Sequence, residues 1–207
     1  MASRLKSWAK IRNALYKHAT SLKATSKSKS DDFADTWGTP PCNFVVHGKK
    51  ISSIRVCDFD KLQRIWYPAK KGRNVPCSVD AVKCDDDGML YAIEFKIGRV
   101  ESSNLIRKIH ESIMGIKEHL SLMASFLGEY DFYRRHMVYL VVASELEVQN
   151  AYDKTFYRSL SAFERPWEQP SYPVRWHLKP LEGVVISKAY ELSPSMFERF
   201  VKIYRWA

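Results

Sequence analysis

Residues 78–96 read SVDAVKCDDDGMLYAIEFK, and three charged side chains, Asp80, Glu94 and Lys96, interrupt what is otherwise a pair of apolar strands. The run Asp85-Asp86-Asp87-Gly88 between them has the composition of a hairpin turn. With the turn centred on Asp87, paired positions carry numbers that sum to 174. Asp80 then falls opposite Glu94, and Ser78 opposite Lys96. Side chains alternate along a strand, so Glu94 and Lys96 share one face. Ile93, Phe95 and Ile97 share the other, which is expected to face the core. Two carboxylates facing each other across a strand pair repel, and burial raises their pKa. A hard divalent cation removes that repulsion, and Mg²⁺ accepts one or two carboxylates alongside water and phosphate oxygens. A lysine beside such a site orients a water molecule or offsets charge developing on phosphate. A solvated strand face carrying an ordinary ion pair is the competing reading of the same spacing.

These elements resemble the signature of the PD-(D/E)XK nuclease superfamily. Ser78-Val79-Asp80 stands for its first half and Ile93-Glu94-Phe95-Lys96 for its E-x-K half. The E-x-K is intact. The proline–aspartate half is not literal, because Val79 precedes Asp80 and Pro76 lies four positions upstream. The resemblance covers roughly residues 57–143. It implies an α/β fold, a single restriction-endonuclease-like domain with an αβββαβ core and a mixed sheet flanked by helices. It also implies Mg²⁺, with Mn²⁺ as a substitute, held by Asp80, Glu94 and the carbonyl of Phe95, while Lys96 positions the attacking water. An acidic residue from the preceding helix often assists in the family. Asp58 and Asp60 are the candidates, with helix capping and solvation as the simpler roles. On the helix after E-x-K, Lys108 and Ser112 are candidates to touch phosphate, against a solvated helix edge. The implied activity is metal-dependent hydrolysis of phosphodiester bonds in nucleic acid, DNA foremost. The alternative is an inactive nuclease fold serving as a nucleic-acid-binding or protein-interaction module. Many members act as dimers, so a homodimer is a further expectation.

Elements on either side must hold these groups in place. Residues 58–66 read as a short helix with Asp58 as N-cap. Strands are expected at 77–84 and 89–97. Ile106, Ile109, Ile113, Ile116, Leu120, Met123 and Leu127 recur at helical spacing, predicting a helix over 102–127 capped by Ser102 or Ser103 and ended by Gly128. The unbroken run MVYLVVA at 137–143 predicts a strand buried on both faces. A hairpin of 43–47 with 51–56, a helix over 148–162, a strand over 183–187 and a terminal helix over 194–206 complete the expectation. The aromatic stretch from Phe156 to Trp176 reads as a covering loop.

The chain has 207 residues, 45% of them hydrophobic, and a net charge of +10. Residues 1–30 hold eight Lys or Arg and no acid, which leaves 25 basic against 23 acidic residues in the remainder. Two parts are therefore expected. Residues 1–32 form a basic amphipathic arm with a Ser/Lys linker, and 33–207 form the nuclease-like domain. Leu5, Trp8, Ile11, Leu15 and Leu22 give the arm a helical apolar stripe, which suits either docking on the domain or contact with nucleic acid or an anionic surface. Lys70, Lys71 and Arg73, just ahead of Asp80, are a candidate nucleic-acid-binding loop. Cys42, Cys57, Cys77 and Cys84 show no CxxC spacing, so reduced thiols and a cytoplasmic location are expected. No apolar run is long enough to span a bilayer, and no secretory leader is expected. The six histidines form neither HxH nor HxxxH, and no GxxxxGK[ST], GxGxxG or GxSxG occurs. Zinc sites, nucleotide-driven motors and serine hydrolases are thereby disfavoured.

Overall fold

The computed structural model describes residues 2–21, 54–69, 75–96, 101–143 and 178–206. Within them the protein is mixed α/β, with one six-stranded mixed sheet and five α-helices. The strands are β1 (Ala19–Ser21), β2 (Arg55–Asp58), β3 (Ala81–Cys84), β4 (Leu90–Lys96), β5 (Met137–Ala143) and β6 (Lys188–Leu192). They lie in chain order across the sheet. β1 to β4 pair antiparallel, whereas β4–β5 and β5–β6 pair parallel. The helices are α1 (Ala2–Tyr16), α2 (Phe59–Trp66), α3 (Ser102–Leu120), α4 (Tyr130–His136) and α5 (Pro194–Ile203).

A parallel β4–β5 pair needs a crossover, and α3 with α4 supplies it. The crossover lays α3 on one face of β4 and β5, where Leu105, Ile109, Ile113 and Ile116 are buried with Leu90, Ala92, Tyr139 and Val141. α5 covers the opposite face, packing Phe197, Phe200 and Val201 with Tyr91, Ile93, Leu140 and Val142. β4 is therefore buried on both faces over Leu90–Glu94. The expectation of one core face, that of Ile93 and Phe95, captured only the α5 side.

α1 docks rather than standing apart. Trp8, Ile11 and Leu15 are buried in the same cluster as α3, each side chain contributing about 1.5–3 kcal/mol. The Trp8 indole N–H donates to the Asp85 carbonyl at 2.9 Å, and the Tyr16 hydroxyl donates to the Cys84 carbonyl at 3.0 Å. β1 extends the sheet by pairing Ala19 with Cys57. Trp8, Ile11 and Leu15 thus tie α1 to the core of the rest of the protein. The expected boundary at 32/33, the linker 23–32, the strand at 43–47, Ile97, the helix over 148–162 and the stretch 156–176 lie outside the described residues.

Several boundaries moved for local reasons. α3 ends at Leu120, and Leu127 reaches the core from a 3₁₀ turn, Ser125–Gly128. Glu101, not Ser102 or Ser103, occupies its N-cap and makes no side-chain cap bond. Residues 183–187 form a turn and an isolated bridge rather than a strand: Gly183 has φ +71°, the Leu181 carbonyl accepts the N–H groups of Val184, Val185 and Ile186, and Ile186 bridges to Glu182. The strand starts at Lys188 instead. No helix among the described residues is long and apolar enough to cross a membrane.

Candidate functional site

The hairpin register is set at its tip. Asp85 Oδ1 accepts the N–H groups of Asp87 at 3.1 Å and Met89 at 2.8 Å, and Gly88 takes φ +87°, where a side chain would be strained. Every observed β3–β4 pair, from Ala81↔Ile93 to Cys84↔Leu90, sums to 174, as the turn predicts. β3 starts at Ala81, so Asp80 lies in a bend just ahead of it rather than inside a strand. Its place is held from two sides. The Phe59 N–H donates to the Asp80 carbonyl at 3.1 Å, and the Phe95 N–H donates to Asp80 Oδ2 at 2.7 Å.

The three residues before Asp80 are each tied to a helix side chain. The Cys77 N–H donates to the Glu111 carboxylate, the Ser78 hydroxyl to the Asp60 carboxylate, and the Val79 N–H to Ser112 Oγ at 3.0 Å. A proline at position 79 would remove the last of these bonds. Neither a solvated edge nor a phosphate contact describes Ser112: it is fully buried and fixes the approach to Asp80.

Glu94 projects to the α3 side, with its side chain 1% exposed. Its Oε1 accepts from Lys96 Nζ at 2.8 Å and from Lys108 Nζ at 2.7 Å. Lys108 Nζ is also 3.8 Å from Asp80 Oδ1. One ammonium therefore touches both carboxylates, which must open on a common space. Glu94 Oε2 is buried and has no hydrogen-bond partner. An orphaned carboxylate oxygen in a buried site is costly unless something binds it.

No family model matches this chain, and neither a curated protein nor a solved structure matches it. The chemistry of the site accordingly rests on its own geometry. Burial first, then the Glu94 charge, raises the Asp80 pKa to about 7, against the opposing pull of Lys108 and of the Phe95 N–H. Burial opposes charge on Lys108 too, but Glu94 and Asp80 outweigh it and hold the ammonium protonated above its ordinary pKa. Tyr139, on β5, is pushed well above the usual phenol range by burial and then by Glu94 and Asp80. Its hydroxyl donates to the Leu105 carbonyl at 3.4 Å.

Of the residues singled out by sequence, Asp80, Glu94, Phe95, Lys96 and Lys108 come together. Asp60 stands one step behind, through Ser78, and its charge is felt at Asp80 and Lys108. Asp58 is engaged as the N-cap of α2, accepting from the Lys61 N–H at 2.9 Å. Lys70, Lys71 and Arg73 lie outside the described residues. Sequence reasoning missed Tyr139, Glu111 and the anchoring role of Ser112. Only the four-residue spacing from Lys108 to Ser112 hinted that Ser112 shares the site's side of α3. Among the described residues no group of three or more His, Cys, Asp or Glu side chains gathers to hold a metal ion. The donors that do fit Mg²⁺ are the two carboxylates, Asp80 and Glu94. The orphaned Glu94 Oε2 fits such an ion as well.

Proposed function

We propose that this protein is a Mg²⁺-dependent nuclease of PD-(D/E)XK type that hydrolyses phosphodiester bonds in nucleic acid, with DNA as substrate. The observation that carries the reading is the meeting of Asp80, Glu94 and Lys96 at one end of the β3–β4 hairpin. The order of elements supports a restriction-endonuclease-like core: α1, then β2, β3 and β4, then α3 and the parallel β5. β1 is an added edge strand, and α2 is inserted between β2 and β3.

Asp80, Glu94 and the Phe95 carbonyl would hold Mg²⁺, which when bound supplies Lewis acidity and neutralises phosphate charge. Lys96, anchored by Glu94, would orient the water that attacks phosphorus in line with the leaving oxygen. The bond from the water oxygen to phosphorus would form as the P–O bond to the leaving group breaks, with the water giving a proton to solvent and the departing oxygen taking one from solvent. The Lys96 ammonium also offsets charge on the non-bridging oxygens. The buried residues around Glu94 exclude bulk water and strengthen these interactions. Exposed Lys10 on α1 and Lys17 in the turn after it support electrostatic contact with the nucleic-acid backbone. The free thiols of Cys57, Cys77 and Cys84 support a cytoplasmic setting. Two copies acting together would let the protein cut both strands of a duplex.

One observation favours a second reading. Lys96 and Lys108 already pair with the two carboxylates, so each acid has a counter-charge without a metal ion. Such a site suits an inactive nuclease fold that binds nucleic acid or protein. Incubation with single- and double-stranded DNA and RNA, with and without Mg²⁺ or Mn²⁺, separates the two. The nuclease reading expects metal-dependent cleavage that Asp80→Ala and Lys96→Ala abolish. Absence of cleavage with every substrate and metal, or cleavage unaffected by both substitutions, leaves only the second reading.

A further inference from the structure

Four charges meet between β3, β4 and α3, but they do not play equal parts. Lys96 touches Glu94 alone, from two positions along the same strand. Lys108 approaches from α3 and touches both acids, at 2.7 Å from Glu94 Oε1 and 3.8 Å from Asp80 Oδ1. An ion shared by the two carboxylates would have to occupy the space between them, which is where this ammonium sits. The lysine fills it imperfectly, since Glu94 Oε2 stays buried without a partner. The charge balance makes a conflict. Two ammonium groups already pair with the carboxylates, and a dication added beside them would face both in a largely buried site. The ammonium between the acids is the one in its way.

We propose that Lys108 is a resident counter-cation: it closes the space between Asp80 and Glu94 in the metal-free protein, competes with the divalent ion, and withdraws when the ion enters. The inference rests on the metal-dependent reading of this site. Withdrawal also has a use. The long stem of Lys108 and its partial exposure, 18% of the side chain, let the freed ammonium meet an incoming phosphate. Metal entry would thereby prepare the site for its anionic substrate, and the empty protein would keep its acids quiet.

The test is Mn²⁺ binding to the full chain, followed by electron paramagnetic resonance of the free ion, with no substrate present. Lys108→Met removes the competing charge while keeping the length of the side chain. It should bind Mn²⁺ about tenfold more tightly than the parent, a change equivalent to ~1.4 kcal/mol. Lys108→Arg keeps the charge and should stay near the parent value. Should Lys108→Met fail to fold, as judged by circular dichroism, Lys108→Gln carries the same expectation. Parent protein that binds Mn²⁺ with neutral variants that bind equally or more weakly would overturn the counter-cation and leave the metal site standing. Absence of Mn²⁺ binding in the parent and the variants alike would remove the metal site, and this inference with it.

Discussion

The β3–β4 hairpin carries acids at both ends, and the two ends treat them differently. At the tip, Asp85 Oδ1 is engaged by two backbone N–H groups, Oδ2 accepts from the Tyr91 hydroxyl at 3.2 Å, and Asp86 pairs with Arg12 at an exposed position. Each tip acid has a structural partner or solvent. At the base, Asp80 and Glu94 are drawn out of water, set against one another and answered by two lysine ammonium groups, with one oxygen left over. The denser acidic run is thus the one whose carboxylates are held by backbone partners in a turn. The base acids are held by flexible ammonium groups, which under the metal-dependent reading proposed above would give them up to a metal ion.

The sharpest way to break this comparison is to exchange the fates of the two ends. Asp80→Ala or Glu94→Ala should lower metal-dependent cleavage by about a thousandfold or more, the scale of losing a principal electrostatic contributor, whereas Asp86→Ala should leave the rate near the parent value. Measured turnover of a labelled oligonucleotide decides it. Next in size is the anchoring of the tip. Trp8→Ala empties a 6%-exposed indole position beneath α1 and should cost about 3–5 kcal/mol in urea unfolding.

A third prediction concerns pH. The Asp80 carboxyl is raised from 3.8 to about 7 in the folded protein, so between those values the native state binds more protons than the unfolded chain. Stability of the metal-free protein should therefore fall as pH rises from about 4 to 7, by on the order of 3 kcal/mol once its partial exposure is allowed for. Asp80→Asn should flatten that part of the profile, read by denaturant midpoints at a series of pH values. A profile no flatter in Asp80→Asn than in the parent would show that burial at the base of the hairpin does not disfavour the Asp80 charge. The smallest effect belongs to the exposed ion pair. Asp86→Ala should change unfolding free energy by less than about 1 kcal/mol, and less still at high salt.

The sequence carried the hairpin register because a single local device, the Asp-Gly turn, sets it, and every pair then follows from the two-residue repeat. It carried β5 and the start of α2 for similar reasons: an unbroken apolar run and a capping aspartate are local signals. What escaped it depends on non-local partners. The stripe of Trp8, Ile11 and Leu15 announces a helix but cannot say that the tip of the hairpin receives it. GVVIS has strand-forming side chains, yet Gly183 and the Leu181 carbonyl hold it in turns. Val79 looked like a departure from a motif. Its N–H donates to Ser112, a bond that proline cannot make, so the departure is matched by a residue 33 positions away. Lys108 was singled out in the sequence, but not its contact with both acids, because that contact depends on how α3 crosses the sheet.

Calorimetric titration of divalent cation into the metal-free protein tests the central claim most directly, with Asp80→Asn, Glu94→Gln and Asp86→Asn run beside the parent. The account predicts that the base of the hairpin binds the ion: heat of binding in the parent and in Asp86→Asn, and none in Asp80→Asn or Glu94→Gln. No binding in the parent, or binding that survives both base substitutions, would contradict it.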